Sequence, residues 1–134
     1  MRVEGKSIIV TGAGGGIGEG IARRLASEGA AVIVNDINAA LGEKVTADIN
    51  ASGGRARFVA GDVTKSADWQ ALVAAAQAFG GKLDVIVNNA GWTHRNRPML
   101  EVSEAEFDKV YAVNMKSIYW SAIHGVPAMQ QAGG

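Results

Sequence analysis

The stretch VTGAGGGIGEG, residues 10–20, places Gly12, Gly14, Gly15, Gly16, Gly18 and Gly20 within eleven positions. Each glycine costs conformational entropy on folding. A chain accepts that cost where something must approach the backbone more closely than side chains permit. The flanks say what. SIIV (7–10) reads as a short buried strand. Behind the glycines, Ile17, Ile21 and Leu25 recur every fourth residue beside Ala22 and Ala26, which is one helical face. A glycine turn that leaves a strand and opens a helix presents free N–H groups and the positive end of the helix dipole, so it suits a phosphate. Gly12 serves the tight turn out of the strand; Gly16 and Gly18 allow close approach of ligand and helix.

Outward from this stretch, strands and helices alternate. AVIVND (31–36) reads as a second strand. Leu41, Val45 and Ile49 mark a second helix, closed by SGG at 52–54. A third strand lies in 56–63, and a third helix carries Trp69, Val73, Ala76 and Phe79. KLDVIVNNAG (82–91) holds a fourth strand, 83–88. Ser103 with Glu106 forms a capping box, from which one helix is predicted to about Met129, with Phe107, Val110, Tyr111, Asn114 and Ile118 on one face. Continuous Val/Ile strands are buried on both sides, which implies a parallel sheet between helices. Right-handed crossovers make it doubly wound. The fold class is α/β, a three-layer Rossmann-type sheet in a single domain over 1–134. Residues 92–102 are the one long irregular stretch.

Composition narrows the partners. With 13 Lys plus Arg against 13 Asp plus Glu, no basic surplus points to nucleic acid or an anionic membrane. The absence of cysteine removes disulfides, thiolate metal ligands and thiol nucleophiles, and no metal site is read. The first ten residues do not form a signal peptide, and no apolar run reaches membrane-spanning length. A cytoplasmic protein is the expectation.

Asp36 ends the second strand, 18 residues after Gly18, close to the roughly 20 expected for a carboxylate that binds a ribose 2′-hydroxyl. Such a carboxylate repels a 2′-phosphate, so NAD is favoured over NADP. The alternative is that Asp36 or Asn38 caps the second helix, and the two roles are compatible.

Taken together, TGAGGGIG (11–18), Asp36, Asp62–Val63, NNAG (88–91) and Asn114 within VYAVNMKS resemble the classical short-chain dehydrogenase/reductase family, in family order and over essentially the whole chain. The resemblance implies that Gly12, Gly14, Gly15, Gly16, Ile17 and Gly18 hold a pyrophosphate. It places Asp62 and Val63 at the adenine, and Asn89, Ala90 and Gly91 under the adenosine ribose. It makes Asn114 the asparagine that holds a water in a proton relay. Each has a structural alternative: a strand-exit turn for Asp62, turn amides for Asn88 and Asn89, a backbone-bonded buried amide for Asn114. It further implies strand order 3-2-1-4, a small alcohol or carbonyl substrate, and a homo-oligomer in a full-length parent. The family's tyrosine general acid, with a lysine four residues on, has no counterpart here: Tyr111 is followed at that spacing by Met115, and Tyr119 by Ile123. His94 and His124 lack a matched nucleophile. The chain therefore reads as the cofactor-binding part of such an enzyme, inactive alone. A non-catalytic dinucleotide-binding module is the alternative. A methyltransferase-like domain fits less well, because of NNAG and the helix opening.

Overall fold

The computed structural model describes all 134 residues. Four strands, β1 (Ser7–Val10), β2 (Ala31–Asp36), β3 (Arg55–Ala60) and β4 (Val85–Val87), form one parallel sheet in the order β3-β2-β1-β4. Helices α1 (Gly16–Ser27), α2 (Ala39–Ala51) and α3 (Ser66–Gly80) connect them. Beyond β4, α4 (Glu104–Tyr111) runs through a π-helical turn at Ala112–Lys116 into α5 (Ser117–Gln131). No helix is long and apolar enough to cross a membrane.

The two central strands, β1 and β2, are largely apolar because both sheet faces are covered there. On one face Ile8, Val10, Val32 and Val34 meet Ala22, Ala26, Val45 and Ile49 of α1 and α2. On the other, Ile9 and Ile33 meet Trp69, Leu72, Val73 and Ala76 of α3, with Leu83 and Ala128. Trp69 is fully buried and satisfies its indole N–H on the Val63 carbonyl at 2.9 Å.

Several sequence expectations shift. In α1 the buried line is Gly18, Ala22 and Ala26; Ile21 and Leu25 pack beside it and Ile17 is 78% exposed. The helix lies so near the glycine turn that its contact line must be small: a Cβ on Gly18 would overlap the Gly12 carbonyl. The helical period holds, and its phase moves by one residue. In α2, Gly42 takes the inward place predicted for Leu41, because the Phe58 ring fills the space a Cβ would need. The predicted single helix after Ser103 is interrupted by its π turn. A π turn holds one more residue than an α turn, so it rotates the rest of the helix by roughly 100°. Ile118, beyond that turn, is exposed rather than inward, and so are Phe107 and Tyr111 before it. The fourth strand is also shorter than 83–88: Leu83 is buried in the core and Asp84 is tied to β1.

Candidate functional site

At the C-terminal end of the sheet, chain reversal between β1 and β4 opens a cleft of about 640 Å³. Such a crevice is where open α/β sheets bind ligands, and its size suits a small organic molecule. Gly12, Asp36, Asp62, Val63, Asn89, Ala90 and Gly91 line it. Gly14, Gly15, Gly16, Ile17 and Gly18 continue from Gly12 beyond its lining.

The glycine turn is shaped by bonds from two directions. Thr11, fully buried, accepts the N–H groups of Asn89 and Ala90 on its hydroxyl at 3.1 and 3.0 Å. The Asn89 amide donates to the Thr11 and Gly12 carbonyls at 2.9 and 3.1 Å. From β2, the Asp36 carboxylate accepts the Gly14 N–H at 2.9 Å and the Asn38 N–H at 2.9 Å. Asn38 is the cap of α2, accepting from the Leu41 N–H. Gly12 sits at φ +62 with the space for a Cβ already taken by Ala90 Cα at 2.9 Å. A Cβ on Gly14 would stand 2.7 Å from the Asp36 carboxylate.

Gly15 and Gly16 differ from these. Cβ atoms there would meet nothing within 4 Å. No side chain caps α1, and the N–H groups of Gly15, Gly16, Ile17 and Gly18 have no partner in the chain. Four unsatisfied donors at the start of a twelve-residue helix can hold an anion. The glycines thus divide by use: Gly12, Gly14 and Gly18 allow packing, and Gly15 and Gly16 leave open space.

Asp62 follows β3. Its Oδ1 accepts the Thr64 hydroxyl and N–H at 2.7 and 2.9 Å, and its other oxygen is free to face a ligand. Burial pushes this carboxyl up. The Thr64 bonds, with Lys65 and Lys109 nearby, outweigh burial and hold it below the usual carboxylate range. It stays an ionised acceptor at neutral pH. Asn114, in the π turn, spends both ends of its side chain on one residue: Oδ1 accepts the Trp92 N–H at 2.9 Å and Nδ2 donates to the Trp92 carbonyl at 2.8 Å. The side chain is thus bonded to backbone. Its side chain fixes the exit from β4.

Asn35, Ile37, Thr64, Trp92 and Lys109 also line the cleft, and the sequence motifs do not include them. Asn35 bonds the Val59 and Gly61 carbonyls and shapes the floor. Its polarity inside an apolar strand is a usable signal. Lys109 carries none, since one lysine on a helix looks like solvent-facing charge.

Known proteins share this architecture. A family model for short chain dehydrogenases matches residues 6–134. The chain is 51% identical over 133 residues to a 4-formylbenzenesulfonate dehydrogenase of Comamonas testosteroni, covering 99% of this chain and 53% of that protein. It superposes at TM-score 0.93, with 38% identity, on a 7α-hydroxysteroid dehydrogenase complexed with NADH and 7-oxo glycochenodeoxycholic acid, covering 99% of this chain and 51% of the other. A metagenomic short-chain oxidoreductase in complex with NADP aligns at 0.90 and 36% identity, with coverage of 98% and 60%. The chain spans about half the length of the curated relatives it matches. With the matching model running over nearly its whole length, the chain belongs to the short chain dehydrogenase family.

Proposed function

We propose that these 134 residues are the cofactor-binding part of an NAD(H)-dependent dehydrogenase acting on an alcohol or carbonyl compound. The observation that carries this is the run of four unpartnered N–H groups at Gly15–Gly18 beside a cleft that holds Asp36 and Asp62. The Gly15–Gly18 amides would hold the pyrophosphate. Asp62 accepts from the adenine amine, and its neighbour Val63 closes the cleft there. Asn89, Ala90 and Gly91 form the floor under the ribose. A bound nicotinamide would supply the hydride donor or acceptor. Asn114 would fix a relay water through its backbone, since its side chain is committed to Trp92.

Asp36 favours NAD. Its carboxylate faces the cleft while anchored to Gly14 and Asn38, so a 2′-phosphate would meet a fixed negative charge. Titrating both cofactors into wild type and Asp36→Ala tests this. Wild type is expected to prefer NAD, and the variant to lose NAD affinity by about tenfold, as for one hydrogen bond to a charged group. A wild-type preference for NADP would overturn the assignment. Without a Tyr-x-x-x-Lys pair, the 134 residues alone are expected to show no turnover, because general acid–base help is worth about 10²–10⁴-fold. Nicotinamide absorbance, followed with aliphatic and steroid alcohols, checks it. The second reading is a non-catalytic dinucleotide-binding module; cofactor binding without turnover in a longer chain would support it.

A further inference from the structure

Three charged side chains line the cleft: Asp36, Asp62 and Lys109. Asp36 has both oxygens bound to backbone. Asp62 has one oxygen free. Lys109, from α4, has no hydrogen bond or ion pair to any residue. Its ammonium rests 4.0 Å from the centre of the Trp92 ring. That contact is a cation–π interaction, which holds a cation in place without using up its N–H donors. Trp92 in turn is fixed at both backbone atoms by Asn114. The ammonium is therefore a positioned donor with its hydrogen bonds still to make.

Lys109 and Asp62 come from different elements, one from α4 and one from the turn after β3. They are not within salt-bridge distance, yet Lys109 is among the charges that depress the Asp62 carboxyl. An anionic acceptor with one unbonded oxygen and a cationic donor without a hydrogen-bond or ion-pair partner thus line the same cleft. The ligand edge that complements this pair has a donor beside an acceptor. The six-membered ring of adenine has that edge, with its exocyclic amine beside a ring nitrogen.

Resting on the assignment of the cleft to a dinucleotide, we propose that Lys109 is an adenine-binding residue, donating from its seat on Trp92 to a ring nitrogen of the base whose amine Asp62 accepts. The pair would make the base end of the cleft selective by hydrogen-bond pattern, in addition to its apolar walls from Val63, Ala112 and Val113.

The probe is ADP-ribose, which has the adenosine and the pyrophosphate and lacks nicotinamide. Calorimetric titration into the 134-residue chain compares wild type, Lys109→Met and Lys109→Arg, with inorganic pyrophosphate as the baseless control. Lys109 is solvent-exposed, so the Met variant keeps the fold, which the helical circular dichroism signal verifies. Lys109→Met is expected to bind ADP-ribose about tenfold more weakly, the size of one charge-assisted hydrogen bond, with Lys109→Arg close to wild type and pyrophosphate unchanged in all three. The acid limit of ADP-ribose binding should also move to higher pH in Lys109→Met, as Asp62 loses a nearby cation. Equal ADP-ribose affinity in wild type and Lys109→Met overturns the proposal. So does an equal loss for pyrophosphate, which would reduce Lys109 to a general field. Failure of wild type to bind ADP-ribose at all would instead overturn the assignment of the cleft.

Discussion

Single atoms decide the geometry at both ends of β4. At its start Asp84 accepts the Ser7 N–H at 2.8 Å and pairs with Lys6 and Lys82 at 3.2 and 3.1 Å. Burial raises the Asp84 carboxyl, but the bonds from Ser7, Lys82 and Lys6 outweigh it and hold the group below its ordinary range. A folded-state value below the unfolded one stabilises the fold above the unfolded value, about 3.9, and loses that contribution as pH falls further. Asp84→Asn is expected to cost about 1.5–3 kcal/mol at neutral pH, with the difference from wild type shrinking below about pH 4. Urea unfolding across that range measures it; a difference that stays constant to low pH would show that the charge is irrelevant. Nothing in the sequence singles out Asp84, because its partner Ser7 lies 77 positions away. By contrast Asp36 and Gly12–Gly18 are legible because the glycine cluster is local and the carboxylate ends a strand that reads clearly.

Among the elements, legibility follows period and fails on phase. Strands and helices are evident because Val and Ile runs and four-residue repeats are local signals. Which residue of α1 faces inward depends on Gly18 lying against Gly12, a contact that no local pattern encodes. The π turn at Ala112–Lys116 is of the same kind. Phe107, Tyr111, Met115, Ile118, Tyr119, Ile123 and Val126 are all exposed on α4, the π turn and α5. Exposed apolar side chains on consecutive helical segments suit a protein contact; the homo-oligomer expected of a full-length parent comes from the family resemblance, and this patch is where it can be tested. Phe107→Lys with Ile123→Lys is expected to lower the weight-average mass in sedimentation at a given concentration while leaving the circular dichroism spectrum unchanged. An unchanged mass would assign association elsewhere.

For the whole molecule, the two edges of the sheet are unequal. β3 carries Arg55 and Arg57, whose guanidinium groups lie over the Phe79 ring at 5.1 and 4.8 Å. Charged side chains on an edge discourage a further strand. The β4 edge has no such device: Val85, Ile86 and Val87 are apolar and β-branched, and Val85 is 38% exposed. Helix α5 covers one face of β4, seated closely because Gly125 lies against Ile86. A helix on a face cannot supply the hydrogen bonds that a neighbouring strand would. The outward N–H and C=O groups of 85–87 are therefore expected to exchange with solvent in a monomer and to pair when chains associate. Hydrogen exchange followed by mass spectrometry as a function of concentration separates the two states. Protection of alternate amides across 83–88 should rise with concentration, and should persist in the Phe107→Lys, Ile123→Lys variant if the edge pairs independently of the helical surface. Replacing Ile86 would confound this by opening the core, whereas Val85→Lys places a charge at the most exposed position of the strand. That variant is expected to abolish the concentration-dependent protection with little loss of stability. Strong protection at 83–88 in dilute wild-type monomer would mean that the edge is already covered, and the open-edge reading of the sheet would fail.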